Sequence, residues 1–396
     1  MIHAPTAAQP ALLPALLPAL AAMTWLQALV ALALFAPGAV APSAHLDILS
    51  LSMFSTAVFA VGVVTSFWTG GLINRVGSLR MATLCGSAVI ASMALAAFGS
   101  SPALLLAGLC LGLAFGPETP ASAALLGKLV TGERRPLVFS VRQTGNQIGA
   151  VCGSLALPAI AIWLAPRWSF ATVGACAIGG IIVFEWLRPR YKGLALAPPQ
   201  LGIRARLALV SSDRRIAALA AASIPFSGMQ LALNTFFVSL GVRELGLGHL
   251  EAGAALACAQ AGGLFGRLGW GFLAMRINSA RIVLIGLGLG MAVCAAVFGL
   301  WGGMLGKAGQ YSLAAAFGLT ASGWNGIFLA EVARLAPQDR IGETTGAVLT
   351  ASYAGLLVTP VLISAIETLA SLAGAFIGLA ILAFGGTVAL LRGGAR

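Results

Sequence analysis

The sequence contains very few charged residues, and acidic residues are the rarest of these. Of its 396 residues, 9% are Asp, Glu, Lys or Arg and 59% are hydrophobic, with a mean hydropathy of +0.97. Soluble domains carry roughly a quarter charged residues. The composition therefore excludes a soluble globular protein and predicts a polytopic membrane protein.

Residues that build metal and redox centres are also scarce. The chain has three histidines, scattered at positions 3, 45 and 249, and six cysteines without a CxxC pair. The cysteines fall inside predicted helices, where a free cysteine behaves as a small hydrophobic residue. No phosphate-binding P-loop is present. We therefore expect no metal, no cofactor and no enzymatic activity, and we expect ion gradients rather than ATP to drive any transport.

Long apolar runs are abundant and define the predicted architecture. Runs of about 20 residues, the length that spans ~30 Å of hydrocarbon, lie at about 19–42, 47–72, 80–99, 102–129, 137–164, 168–188, 215–240, 250–274, 281–301, 308–333, 343–366 and 369–391. They predict an all-α membrane protein with twelve transmembrane helices. A basic segment punctuated by proline separates the sixth and seventh runs. We divide the chain into an N-terminal six-helix bundle (1–188), a cytoplasmic linker (189–214) and a C-terminal six-helix bundle (215–396).

The net charge of +12 is distributed unevenly between the predicted loops. If the N-terminus is cytoplasmic, seventeen Lys and Arg residues lie in the loops and tail on that side. The opposite loops hold only Arg167, Arg243 and Lys307. This asymmetry follows the positive-inside rule. The basic charge therefore indicates topology rather than a nucleic-acid partner, and it predicts a bacterial-type inner membrane protein with both termini in the cytoplasm.

Two short basic loops repeat about half a chain apart. GGLINRVGSLR, residues 70–80, recurs as GFLAMRINSAR, residues 271–281. The repeat aligns one glycine and two arginines: Gly70 with Gly271, Arg75 with Arg276, and Arg80 with Arg281. At an offset of 202 residues, Gly116 also falls on Gly318. The two halves therefore read as two copies of one design.

The loops resemble the signature G-x-L-A-D-R-x-G-R-R between helices 2 and 3 of major facilitator superfamily transporters. The resemblance covers essentially the whole chain. It implies two six-helix pseudo-repeats, a substrate site near the midplane between them, and alternating access by rocking of the bundles. It also implies gating roles for loop residues Gly70, Asn74, Arg75, Gly77, Arg80, Gly271, Arg276 and Arg281.

This sequence departs from the signature at the aspartate of both loops. The aspartate is replaced by Asn74 in the first loop and by Met275 in the second. In the family, that aspartate joins a charge network that latches the cytoplasmic side shut. We therefore expect a weaker or rebuilt latch here, with Arg75 paired to Glu331 or Glu343 as one candidate.

Ionisable residues within the predicted helices are few, and each costs at least ~2.5–3.5 kcal/mol on insertion scales. Lys128, Glu185 and Glu331 lie near helix ends, which predicts anchoring roles. Glu118 and Arg142 each lie toward the cytoplasmic third of adjacent predicted helices, so we expect that they can meet. They form either a structural ion pair or a proton-titrating carboxylate with its counter-ion. The prolines that flank Glu118 predict a local break in helix 4.

Arg267 lies about two-thirds of the way along helix 8, with no acidic residue nearby in sequence. An arginine four residues before the glycine that opens the loop resembles the helix-8 pattern of monocarboxylate and oxalate porters, which implies that Arg267 binds an anion. Its rigid fork of donors suits a carboxylate. The alternative is a structural lock to a neighbouring loop. The other residues predicted to bind substrate are Gln27, Gln230, Asn234, Trp324, Asn325, Tyr353, Arg142 and Asn146.

These observations predict a secondary active transporter for a small organic anion, coupled to protons through Glu118. We expect a monomer whose partners are a small-molecule substrate, protons and the lipid bilayer. The first alternative is a proton-driven efflux antiporter for amphipathic compounds. Drug/proton antiporters of the superfamily tend to carry an arginine inside helix 4 and a Gly-Pro pair in helix 5. Helix 4 here has no arginine before Lys128 and helix 5 has no Gly-Pro pair, so the sequence resembles those antiporters less. The alternative from another class is a membrane receptor that binds ligand without transport.

Overall fold

The computed structural model describes residues 13–44, 46, 48–130, 132–194 and 201–394, and across these residues the regular structure is entirely helical. The fifteen α-helices of this part of the chain are α1 (Leu13–Ala44), α2 (Ile48–Val76), α3 (Ser78–Ala96), α4 (Ser101–Leu129), α5 (Arg135–Trp163), α6 (Pro166–Leu187), α7 (Ile203–Ser211), α8 (Arg214–Thr235), α9 (Phe237–Arg243), α10 (His249–Arg276), α11 (Ala280–Trp301), α12 (Lys307–Ala321), α13 (Trp324–Leu335), α14 (Ile341–Leu369) and α15 (Leu372–Arg392).

Eleven segments of the described chain are long and apolar enough to cross a membrane. The helix α10 is not one of these eleven, although its 28 residues give it the required length. It is rich in glycine and carries Arg267. With α10, the segments occupy the twelve predicted positions, and the predicted all-α, twelve-helix architecture is confirmed. The short helix α7 belongs to the predicted linker, of which residues 195–200 lie outside the described part.

The two halves pack their helices in the same way. In the first half α1 packs on α5, α2 on α4, and α3 on α6. In the second half α8 packs on α14, α10 on α12, and α11 on α15. These are equivalent pairs, so the six-helix pseudo-repeat predicted from the two loops is present in the packing.

The register of the repeat differs from the sequence alignment in the fourth helix. Gly318 is equivalent to Gly112, at an offset of 206, and not to Gly116. A Cβ atom at Gly112 would meet the carbonyl oxygen of Val58, and one at Gly318 would overlap that of Ala259, the residue 201 positions after Val58. The offset is 202 at the starts of α3 and α11 and 206 at the starts of α4 and α12. It grows because α11 has three more residues than α3 and the connection after α11 has one more residue than that after α3.

The helix break lies in the second half and not in the first. We predicted a break around Glu118, but α4 runs continuously through Pro117 and Pro120. Membrane helices tolerate internal proline when neighbouring helices and local adjustments satisfy the freed carbonyl groups. The equivalent segment of the second half ends α12 at Ala321 and starts α13 at Trp324. With the register of 206, Trp324 occupies the position of Glu118.

The two halves make their closest contacts at the side that carries the two repeated loops, which we call the signature side. Gly70 of α2 packs against the backbone of Glu343 at the start of α14, where a Cβ atom would overlap it. Gly271 of α10 and Gly326 of α13 both pack on Ser140 of α5. Each signature glycine therefore serves as a close-approach point between the bundles, and the signature side is closed.

Candidate functional site

A buried ion pair joins α4 and α5 in the first half. Arg142 is 0% exposed and Glu118 is 5% exposed, and a terminal guanidinium nitrogen of Arg142 contacts a carboxylate oxygen of Glu118. The hydroxyl of Thr119 donates to the other carboxylate oxygen at 2.6 Å. Arg142 also donates to Thr119 Oγ1 at 3.3 Å. The predicted meeting of Glu118 and Arg142 is thus seen, with Thr119 as a third member.

Gln143 connects this ion pair to two other helices. Its side-chain oxygen accepts from Arg142 Nη1 at 3.2 Å and from the amide of Gln27 on α1. Its main-chain carbonyl accepts from Arg267 Nη1 of α10 at 3.0 Å. Gln143 therefore lies between two buried arginines that belong to different halves. We did not select Gln143 from the sequence, although it directly follows Arg142.

Arg267 is a buried cation that takes part in no ion pair among the described residues. The residue is 2% exposed, and its Nε atom is buried with no hydrogen-bond partner in the part of the chain that the structure describes. Its Nη1 atom donates a hydrogen bond to the Gln143 carbonyl across the boundary between the halves. A buried charge without a partner is costly. The site therefore holds a positive charge and a free donor in a position that favours an anion.

Amide side chains form a second polar group between α5, α8, α10 and α13. Asn325 donates to Gln230 at 2.8 Å, and Gln260 donates to Asn234 at 2.9 Å. Gln147 donates to Gln260 at 3.5 Å and so connects the two halves. Gln260 was missed, and the signal that marks it is an amide in an otherwise apolar stretch of α10.

Two aromatic residues border these polar groups. Trp324 is 1% exposed and packs edge-on against Phe226, with ring centroids 5.6 Å apart. Its indole Nε1 is buried, and none of the described residues forms a hydrogen bond with it. The ring of Tyr353 packs at a tilt against that of Phe115, with ring centroids 5.3 Å apart. Asn146, also predicted, is half-buried one turn after Arg142.

The predicted latch between Arg75 and Glu331 or Glu343 is not formed. Glu331 pairs with Arg334 at 2.6 Å, and Glu343 pairs with Arg340 at 2.8 Å. Each carboxylate therefore has an arginine three residues away on its own segment. Arg75 is exposed at the end of α2. Because Gly70 already brings α2 against α14, the closed side is held by backbone packing at this point.

The two loop arginines at positions 80 and 281 act within their own halves. Arg80 pairs with Glu185 of α6 at 3.0 Å. Arg281 donates to the carbonyl oxygens of Leu390 and Leu391 at the end of α15, at 2.8 Å each. The contacts are equivalent, because both arginines tie the third helix of a bundle to its sixth helix. Arg276 is the last residue of α10. Gly77 lies between α2 and α3 and has a φ of 85°, which favours glycine.

Among the described residues, no group of three or more His, Cys, Asp or Glu side chains is placed to hold a metal ion. His3 and His45 lie outside those residues.

Two six-helix bundles of equivalent packing, closed on one side and enclosing buried polar and charged side chains at their boundary, define a membrane transporter of the two-bundle kind. The chain belongs to the Major Facilitator Superfamily, whose sequence profile matches residues 16–360. An MFS-type transporter of Gibberella moniliformis (strain M3125 / FGSC 7600) is 26% identical over 235 residues, which are 58% of this chain and 54% of that protein. The chain therefore spans about half the length of this curated relative.

Solved structures share the fold at low sequence identity. The human organic anion transporter has a TM-score of 0.77 at 17% identity, with 96% of this chain and 100% of that chain covered. A bacterial homologue of the iron transporter ferroportin in the outward-facing state has a TM-score of 0.76 at 15% identity, with 96% and 99% covered. The E. coli fucose:proton symporter has a TM-score of 0.71 at 15% identity, with 95% and 98% covered.

Proposed function

We propose that this transporter moves a small organic anion by proton-coupled alternating access. The observation that carries the proposal is Arg267, a buried cation at the boundary between the halves with no acidic partner among the described residues. Among the described residues, its terminal nitrogen donates to a main-chain carbonyl and to no carboxylate, which leaves the charge uncompensated. A substrate carboxylate supplies the missing charge and accepts from the free donor.

The buried indole of Trp324 adds a further donor on the second half. Its Nε1 atom has no hydrogen-bond partner in the described structure. Together with the amides of Gln230, Asn234 and Asn325, it gives the substrate an apolar wall and several polar contacts. Small-molecule sites commonly combine these two kinds of lining.

Proton coupling is assigned to Glu118. A proton on this carboxylate removes the charge that pairs with Arg142, which changes the hydrogen bonds available to Gln143. Gln143 also holds Arg267 through its carbonyl. Protonation of Glu118 and anion binding at Arg267 therefore both act on Gln143. This residue lies at the boundary between the halves, which rearranges when the halves rock.

The orientation follows from the loop charges. The signature side carries most of the Lys and Arg residues, and we assign it to the cytoplasm. The arrangement described is then closed to the cytoplasm, and we expect a monomer in a bacterial-type inner membrane. The fold neighbours are named for an organic anion, for fucose and for iron, so the fold does not select a substrate class. The proposed substrate class therefore rests on the site residues.

A panel of ligands tests the substrate class by thermal shift on the purified protein in detergent. We expect carboxylates to raise the unfolding midpoint of the wild type, since a ligand at 100 times its Kd stabilises by about 2.7 kcal/mol. The Arg267→Gln variant should lose the shift. Arg392→Gln, an exposed arginine at the end of α15, serves as the matched control.

The alternatives give different results in the same panel. A shift with cationic amphipathic compounds, or carboxylate shifts of equal size in Arg267→Gln, would assign Arg267 to a structural lock and favour the efflux antiporter. Binding of a carboxylate without flux into liposomes would favour the receptor.

A further inference from the structure

A cavity of about 130 Å³ lies on the signature side, away from the candidate substrate site. A single water needs about 10–15 Å³ on this measure, so the cavity has room for a group of several heavy atoms. Its wall comes from the ends of α2, α3, α4 and α6, and from residues 339, 341 and 342 at the start of the second half's α14. Both bundles therefore contribute to it.

The wall of this cavity is basic. Arg80, Lys128, Arg188 and Lys192 line it, and Asp339 is the acidic residue among the lining residues. Outside the wall, Glu185 binds Arg80 at 3.0 Å and Arg188 at 2.8 Å. In the described part of the chain, the carboxylates that line the cavity or pair with its arginines are Asp339 and Glu185, so the four cations leave an excess of positive charge.

Asn74 contributes a hydrogen-bond donor where the family signature has its aspartate. The side chain lines the cavity, and its Nδ2 atom is buried without a partner among the described residues. A carboxylate at this position would offset part of the excess charge. The amide instead presents a donor, which makes the wall more complementary to an anion.

An exposed tryptophan next to the part of α6 that borders the cavity indicates the depth of lipid headgroups. Trp186, which is 65% exposed near the end of α6, carries the guanidinium of Arg190 at 4.6 Å from its ring centre. Exposed tryptophan at the end of a membrane helix marks the membrane interface. Arg188 and Lys192 follow directly in sequence. Basic pockets between membrane helices at this level bind anionic lipid headgroups.

We infer that this cavity binds the phosphate group of an anionic lipid headgroup. The phosphate supplies the negative charge that the aspartate of the family signature would supply at position 74. Lys128 and Lys192 supply the charge, and the Asn74 amide donates a hydrogen bond. Because both bundles line the cavity, an occupied site favours the closed arrangement of the signature side. This inference is independent of the substrate that the transporter carries.

The test is native mass spectrometry of the full chain, titrated separately with phosphatidylglycerol and with phosphatidylcholine. We expect one phosphatidylglycerol to bind at lower concentration than phosphatidylcholine. Lys128→Gln/Lys192→Gln should weaken that binding about 10-fold to 30-fold, since each basic residue near an anionic lipid surface contributes a factor of up to about five. Arg392→Gln, an exposed arginine outside the cavity, should bind as the wild type does.

Asn74→Asp provides a second variant that keeps both lysines. It restores a carboxylate, so we expect it to weaken phosphatidylglycerol binding while the protein remains folded and unfolds at or above the wild-type midpoint. Equal binding by the double-lysine variant and Arg392→Gln would overturn the inference. Thermal stabilisation by inorganic phosphate, with none from phosphatidylglycerol, would overturn the lipid as the source of the phosphate group.

Discussion

Replacing Glu118 by Gln tests whether the buried ion pair is needed for stability. The variant keeps an acceptor beside Arg142 but removes the negative charge, and Arg142 remains 0% exposed. The remaining partners are neutral oxygens of Thr119 and Gln143, at 3.3 and 3.2 Å. Removing one partner of a buried pair costs about 3–5 kcal/mol. We expect a midpoint lower by roughly 5–10 °C.

The assay is thermal unfolding in detergent with a thiol-reactive dye, because Cys85 and Cys294 are buried and react only when the protein opens. Glu185→Gln is the matched control, since Glu185 also pairs with arginine but is partly exposed. An exposed pair contributes about 1 kcal/mol or less.

The double variant Glu118→Gln/Arg142→Gln separates charge from packing. It removes both charges, so we expect it to recover at least half of the loss caused by Glu118→Gln alone. Equal midpoints for Glu118→Gln, Glu185→Gln and the wild type would refute the reasoning, because a fully buried arginine cannot lose its counter-ion without cost.

Three further predictions concern proton coupling, closure and helix capping. Flux by Glu118→Gln in liposomes should not vary between pH 5.5 and 8, whereas a pH profile like that of the wild type would place the proton site elsewhere. Gly70→Val should disfavour the closed signature side by about 1–3 kcal/mol through overlap with the Glu343 backbone, and slow transport roughly tenfold or more. Gly174→Val, where a Cβ atom meets nothing within 4 Å, should transport normally. Equal transport rates for Gly70→Val and Gly174→Val would contradict the role of Gly70. Asp213→Ala should lower stability by about 1 kcal/mol, measured by the thiol dye, because Asp213 accepts from the backbone of the second residue of α8.

The helices were predictable because the membrane fixes their length and apolar character. Runs of about 20 apolar residues located all twelve positions, and the paired loops predicted the repeat. The predicted alignment of Gly116 with Gly318 in the fourth helix of each half was wrong. The sequence does not reveal that α11 is longer than α3, and this difference shifts the alignment of the helices that follow. The break predicted at Glu118 was wrong because proline removes a donor without requiring a helix to end.

The candidate site was predictable where charge is costly and hidden where polar groups are neutral. Glu118, Arg142 and Arg267 stand out in apolar helices because a charge inside the membrane is costly, which indicates a structural or functional role. Gln143 and Gln260 do not, because an amide in a membrane helix most often joins two helices. Only the packing shows that the Gln143 carbonyl accepts a hydrogen bond from Arg267 of the opposite half.

Counterflow of a radiolabelled carboxylate into liposomes tests the central claim most directly. The substrate is the carboxylate that gives the largest thermal shift, and the proteins are the wild type, Arg267→Lys, Arg267→Gln and the control Arg392→Gln. We predict uptake by the wild type and Arg392→Gln, reduced uptake by Arg267→Lys because a point charge replaces the planar fork, and none by Arg267→Gln. Uptake by Arg267→Gln at the wild-type rate would contradict the account.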